Sequence, residues 1–301
     1  MKILNIGSLN IDHVYRVDHV VAPGETLSST ELNLFCGGKG LNQSIAAARA
    51  GTQVWHAGKI GNDGAMLVSS LRECGVHTDL IQVSDGIPTG HAIIQVDRHG
   101  QNCIIVHGGA NTSITPEDID GFLSHFSAGD IFLTQNEISS LPYALEQAKK
   151  KGMLVALNPS PIGDLASSPA LDWVDIFILN EVEGLQITGE SDPQEICTAL
   201  LRRYPRCKVM LTLGKSGCLY AEEGRRTSHG IYDTAAVDTT AAGDTFVGYF
   251  LSGLCLGNSI EDILTTASKA SAIAVSRAGA SVSIPDRQEV ASADIHLISR
   301  G

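Results

Sequence analysis

Apolar residues in this chain fall into short continuous runs, separated by longer stretches in which they recur every three or four positions. Residues 2–7 form the first run, ended by Gly7; Leu41, Ile45 and Ala48 then share one face of a helix predicted over 40–51 and closed by Gly51. The pattern repeats. Strands are predicted at 53–59, 131–134, 154–158, 176–179 and 209–213, and helices at 63–74, 139–151, 181–188 and 193–204, with Gly152 and Gly189 as helix stops. Two long helices, at about 243–256 and 259–277, complete the order. Strands that are apolar almost throughout, alternating with helices, imply a mostly parallel sheet covered on both faces.

Two stretches break the alternation. Residues 11–35 and 89–107 carry strand patterns without helices between them, with Ala92, Ile94 and Val96 alternating against His91, Ile93, Gln95 and Asp97. They predict a small sheet projecting from the main body, either a lid over a site, a dimer surface or a plain antiparallel extension. No Pro-, Gly- or Ser-rich linker divides the chain, so residues 1–301 are expected to form one domain with that insertion.

Composition narrows the partners. The 301 residues carry 21 Lys+Arg against 33 Asp+Glu, a net charge of −12, which argues against duplex DNA or an anionic membrane as the main partner. The first residues lack the pattern of a secretory leader, and no apolar run approaches a membrane span. Seven cysteines are scattered without a CxxC pair, so neither a disulfide framework nor a structural zinc site is expected, and a reducing cytoplasm fits.

Two common nucleotide motifs fail. Gly214-Lys215-Ser216 resembles the end of a P-loop, but Val209 stands where that motif needs glycine; no GxGxxG follows the first strand, which removes the main support for a nicotinamide site. The segment Val237-Asp238-Thr239-Thr240-Ala241-Ala242-Gly243-Asp244-Thr245-Phe246 is more informative. Small residues at 241–243 open a helix, so backbone N–H groups and the positive end of the helix dipole face the same way, as an anion hole requires. Asp244 there is either the helix N-cap or a base beside the bound anion. In Cys36-Gly37-Gly38-Lys39-Gly40-Leu41-Asn42-Gln43, three glycines around a lysine permit backbone approach to a ligand, or simply form a turn. Asn10-Ile11-Asp12 is placed at the end of the first strand, where open α/β sheets bind ligands. Asn180-Glu181-Val182-Glu183 opens a helix and suits a capping box.

Taken together and in this order, Gly37 to Gln43 and Asp238 to Phe246 resemble the two signatures of the ribokinase-like (PfkB) carbohydrate kinase family. Gly-Ala-Asn at 109–111, Leu-Asn-Pro at 157–159, Asn-Glu-Xaa-Glu at 180–183 and Thr-Leu-Gly-Lys-Ser-Gly at 212–217 fit between them. The resemblance covers nearly the whole chain and implies a Rossmann-like fold with a β-sheet lid. It implies transfer of the ATP γ-phosphate to a sugar hydroxyl, with D-ribose the first choice of acceptor and 2-deoxyribose, fructose or another ketose, or a nucleoside as alternatives. Asp244 would be the base and the N–H groups of Ala241, Ala242 and Gly243 the anion hole.

By the same likeness Asn10, Asp12, Gly38, Lys39, Asn42 and Glu137 would hold the sugar. Asn180, Thr212, Gly214 and Gly217 would contact the nucleotide together with Gly243, and Glu183 would order water around Mg²⁺. Ser268 stands where family members often carry a larger polar residue near adenine, which weakens that contact. A K⁺ site would involve Asp238, Thr240, Ala274, Arg277, Gly279 and Ser283, mostly through carbonyls. A homodimer through the paired lids is also implied. A catalytically silent sugar-binding regulator is the second reading, disfavoured by the intact Asp244, Gly243 and Gly-Gly-Lys-Gly turn.

Overall fold

The computed structural model describes residues 1–298. In chain order the elements are β1 (Ile3–Ile6), β2 (Asn10–Arg16), β3 (Glu31–Gly37), α1 (Lys39–Arg49), β4 (Val54–Ile60), α2 (Ala65–Glu73), β5 (His77–Val83), β6 (Gly90–Val96) and β7 (Asn102–His107). Next come α3 (Pro116–Leu123), β8 (Ile131–Gln135), α4 (Leu141–Lys150), β9 (Leu154–Asn158), β10 (Ile176–Asn180), α5 (Glu181–Thr188), α6 (Pro193–Arg203) and β11 (Lys208–Thr212). β12 (Cys218–Glu222), β13 (Arg225–His229), β14 (Ile231–Tyr232), α7 (Ala242–Cys255), α8 (Ile260–Val275), α9 (Arg287–Ser292) and β15 (Leu297–Ile298) follow.

The main sheet has nine strands in the order β13-β12-β11-β10-β9-β8-β1-β4-β5. Pairing is parallel from β5 to β11 and turns antiparallel at β12 and β13. Successive strand residues point to opposite faces, and here both faces are core. Ile3, Ile131, Leu133, Ile176 and Ile178 join the cluster under α1, α7 and α8, while Leu4, Ile6, Phe132, Phe177 and Leu179 join the one under α3, α4 and α6. The strands therefore read as unbroken apolar runs, and the expected two-faced, mostly parallel sheet is what forms.

A second sheet of four strands has the order β3-β2-β6-β7. Its central pair, β2 with β6, is parallel, and the outer pairs are antiparallel, so the chain does not make a simple antiparallel extension. At its base one row brings Asn10 against both Gly37 and Gly90. Asn10 and Asp12 thus open β2 of this sheet, rather than ending the first strand as expected. β1 ends at Ile6; Gly7 N–H still donates to Ala57 O of β4 at 3.2 Å, and a Cβ there would stand 2.7 Å from Gly40 Cα, so glycine is what lets α1 begin against the strand end.

Among the described residues no helix is long and apolar enough to cross a membrane. All seven cysteines are free thiols.

Candidate active site

The site lies where α1 and α7 begin, beyond the carboxyl ends of the central strands. Two glycines seat α1. Gly38 has φ +97°, and a Cβ at Gly40 would stand 2.4 Å from the Ser8 nitrogen, so only glycine lets the helix start press against residues 7 and 8. Leu41 N–H then donates to Ser8 O at 3.0 Å. This fixes Lys39, Asn42 and Gln43 on the turn that faces α7.

Asp244 lies in the first turn of α7, but the N-cap is Ala241, with φ +60° and no side-chain cap. Of the two local readings of Asp244, the cap is excluded. Its carboxylate instead accepts from Asn42 Nδ2 on Oδ2 at 3.0 Å and from Gln43 Nε2 on Oδ1 at 2.9 Å. Ala242 N–H is engaged by Thr239 O at 3.3 Å, whereas the N–H groups of Ala241 and Gly243 meet no backbone acceptor among the described residues. A Cβ at Gly243 would find nothing within 4 Å, so packing does not demand glycine there; open space lies beside it. Two free donors, open space and a helix N-terminus make an anion-binding surface.

A second group of polar side chains gathers around Asn10, Asp12 and Glu137. Asn10 is buried, and its Oδ1 accepts from Asn111 Nδ2 at 2.8 Å; Asn111 Oδ1 in turn accepts from Leu9 N–H at 2.9 Å. Burial, helped by the nearby Glu137, lifts the Asp12 carboxyl to about 6. Burial also raises Glu137, opposed by a hydrogen bond from Ser8 and by the Lys39 ammonium. Asn42 is 4% exposed and its Oδ1 has no partner, an acceptor that costs free energy until something donates to it.

A cleft of about 210 Å³ is lined by Lys39, Asn180, Glu183, Thr212, Ala241, Gly243 and Asp244 from the expected set. Asn158, Ser160, Thr239 and Val247 line it too and carried no expected role. Asn180 and Glu183 form a full capping box: Asn180 Oδ1 accepts from Glu183 N–H at 2.9 Å and Glu183 Oε2 from Asn180 N–H at 3.0 Å. The box leaves the second Glu183 oxygen unused. Gly214, Gly217 and Ser268 do not line the cleft. Gly217 has φ +92°, and a Cβ there would stand 2.0 Å from His229 O, so backbone conformation and packing account for that glycine without a ligand. Ser268 is buried on α8 with its hydroxyl 3.8 Å from the Cys218 thiol.

Behind the anion surface, Asp238 ties two loops together. Oδ1 accepts from Thr240 N–H and Oδ2 from Gly279 N–H, each at 2.9 Å. Partial burial works to raise this carboxyl, but those bonds and the Arg16 charge hold it below its ordinary value. Ala274 O already accepts from Arg277 N–H at 3.2 Å, the Arg277 side chain pairs with Glu289, and Ser283 is buried. Among the described residues no three His, Cys, Asp or Glu side chains are grouped to hold a metal ion.

Residues 1–287 match the family model described as pfkB family carbohydrate kinase. A ribokinase of Staphylococcus aureus is 35% identical over 300 residues, covering 96% of this chain and 98% of that protein. One of Haemophilus influenzae is 35% identical over 292 residues, covering 94% and 95%. Among solved structures, ribokinase from Thermotoga maritima superposes with a TM-score of 0.86 at 32% identity, covering 97% and 98% of the two chains. Arabidopsis thaliana ribokinase complexed with ribose and ATP gives 0.85 at 30%, covering 96% and 97%.

Proposed function

The chain belongs to the PfkB family of carbohydrate kinases, and on that premise we propose that it phosphorylates D-ribose at its terminal hydroxyl with ATP, giving ribose 5-phosphate and ADP. One observation carries the reading beyond family membership. Asn42 spends Nδ2 on Asp244 and keeps a buried, unpartnered Oδ1, so one side chain can accept a sugar hydroxyl while holding the carboxylate beside it. The likeness to a ribokinase that binds ribose and ATP supports ribose over the other acceptors.

In this reading Asn10, Asp12, Gly38, Lys39, Asn42 and Glu137 hold the sugar, and the cleft with Asn180, Glu183 and Thr212 takes the nucleotide. Gly214, Gly217 and Ser268 would bound the adenine end beyond that cleft. Asp244 accepts the proton of the attacking hydroxyl; the new O–P bond forms as the bond from the γ-phosphorus to the bridging oxygen breaks, and ADP leaves with that electron pair. Charge on the transferring phosphoryl group is met by the N–H groups of Ala241 and Gly243, with Ala242 as a third donor once its 3.3 Å bond to Thr239 yields. Positioning and electrostatics supply most of the acceleration, because a loose phosphoryl transition state asks little covalent work of the protein.

A Mg²⁺ ion would travel with the nucleotide phosphates. Such an ion is held mainly by phosphate and water, and the Glu183 oxygen left free by the capping box would orient one such water. A K⁺ ion would lie at the loop of Asp238, Thr240, Ala274, Arg277, Gly279 and Ser283, where the Asp238 carboxylate ties the backbone at Thr240 to that at Gly279. Its chemistry would be to stiffen the turn that presents Ala241.

The four-stranded sheet would act as a lid, and its exposed Leu34, Phe35, Ile105 and Val106 would meet the same sheet of a second copy in a homodimer. Free cysteines suit a reducing cytoplasm. ADP release with a panel of ribose, 2-deoxyribose, fructose and nucleosides, with Asp244→Asn as blank, tests the assignment. Ribose-dependent release absent in the blank supports it, and release with another acceptor alone moves the specificity elsewhere.

A further inference from the structure

We propose that Gln43 is a positioning residue for phosphoryl transfer, holding the Asp244 carboxylate in one orientation through a one-way chain of buried amides. The proposal rests on Asp244 being the base.

Every polar atom of the Gln43 side chain is engaged. Nε2 donates to Asp244 Oδ1 at 2.9 Å and to Asn158 Oδ1 at 3.0 Å, and Oε1 accepts from Gln135 Nε2 at 2.7 Å. Gln135 Nε2 also donates to Asn5 Oδ1 at 3.2 Å. Asn5 Nδ2 donates to Gly40 O at 2.8 Å and to Ser44 Oγ at 2.9 Å, while Asn158 Nδ2 donates to Ile178 O at 2.9 Å.

The direction of this chain is forced. An amide can be turned end for end at little steric cost, so its orientation is set by its partners. Gly40 O and Ile178 O can only accept, which turns the nitrogens of Asn5 and Asn158 toward them and their oxygens toward Gln135 and Gln43. Those oxygens call for donors, so Gln135 presents its nitrogen to Asn5, and Gln43 presents its own to Asn158 and, with the remaining hydrogen, to Asp244. Reversing Gln43 would place its oxygen against a carboxylate and against the Asn158 oxygen, with no donor left for either.

Asn5, Gln43 and Gln135 are all fully buried. Burying three amides where apolar side chains would pack is costly, and Gln135 Oε1 goes without any partner. A network built only to fill space has no need of polarity, whereas this one delivers an N–H of fixed direction to one oxygen of the reacting carboxylate.

The test compares Gln43→Met, which keeps the length and removes the hydrogen bonds, with Gln43→Glu, which keeps the shape and turns an oxygen toward Asp244. Steady-state kinetics with ribose and ATP are run beside direct ribose binding by calorimetry and a melting curve. The expected result is a kcat about 10²-fold lower for Gln43→Met, the scale of a misplaced reacting group. A still lower kcat is expected for Gln43→Glu, with both KM values and the ribose affinity within about threefold of the parent. In an Asp244→Asn background, Gln43→Met should cost nothing more. If kcat holds in both Gln43 variants while Asp244→Asn is inactive, the proposal is overturned and the base assignment stands; if Asp244→Asn turns over normally, both fall. A loss of ribose affinity in parallel with kcat would make Gln43 merely structural. Should Gln43→Met fail to fold, Gln43→Glu and Gln135→Leu are read by the same split.

Discussion

Asn42 donates through Nδ2 to Oδ2 of Asp244 at 3.0 Å, joining the first turn of α1 to the first turn of α7 across 202 positions of sequence. Two helix starts, each unable to satisfy its own first-turn groups, are thus bound through their side chains at the point where sugar and nucleotide would meet. Replacing Asn42 by alanine removes both the tie and the buried acceptor. The ribose KM should rise about 10- to 100-fold, the worth of a buried hydroxyl contact of about 1–3 kcal/mol, while the ATP KM stays near that of the parent. Initial rates with each substrate varied in turn check it; an unchanged ribose KM would refute it.

Asp244→Asn keeps the shape of the residue and removes its capacity to take a proton. Turnover should fall by about 10²–10⁴-fold, the usual share of a positioned base, with ribose affinity within a few-fold. Single-turnover phosphate transfer beside calorimetric ribose binding separates the two quantities.

Asp12 carries a pH signature. Its carboxyl titrates at about 6 in the folded chain against an ordinary 3.8, through burial first and Glu137 second. The folded chain therefore holds a proton that the unfolded chain has lost, so stability falls as pH rises from about 4 through 6 and stays reduced above it. Asp12→Asn should raise the melting temperature of the ligand-free protein at pH 7–8, by at most about 3 kcal/mol in stability, and give no such gain below pH 4. Melting curves across that range decide it; an equal gain at every pH would contradict the burial argument.

Gly40→Ala tests the seat of α1. The added methyl would lie 2.4 Å from Ser8 N and 2.6 Å from the Gly7 carbonyl carbon, both backbone atoms. Overpacking of this kind costs on the order of 1–3 kcal/mol and moves Lys39, Asn42 and Gln43 as a unit. Melting temperature and kcat should fall together, unlike in Asp244→Asn, where only kcat falls.

Exchanging K⁺ for a bulky organic cation should lower activity several-fold, and Asp238→Asn should lower it in either buffer and erase the difference. Activity indifferent to K⁺ in the parent enzyme would remove the ion from the site.

The strands under two cores announce themselves because they have no polar face, and β1, β4, β8, β9, β10 and β11 were legible for that reason. β5 and β13 were not. Both are edge strands, and Arg225-Arg226-Thr227-Ser228-His229 holds no aliphatic side chain at all. α3 was not read although it carries the usual start signal, Thr115 as cap with Pro116 and acidic residues in its first turn; it spans only eight residues and includes Gly121. The position of Asp244 in the first turn of a helix could be read locally, but not that Ala241 would take the cap through a left-handed backbone. Gln43 sat in plain view beside Asn42. Its role depends on Asn5, Gln135 and Asn158, which no local spacing connects.

The row of Asn10, Gly37 and Gly90 at the base of the small sheet sets Asp12 on one body, while Asn42 and Asp244 belong to the other. A sugar held as proposed would reach from one body to the other, and the site would then work as a caliper. It would judge an acceptor by the distance between its first and last hydroxyls as much as by their number, and a triol too short to bridge would engage one jaw and leave the other empty.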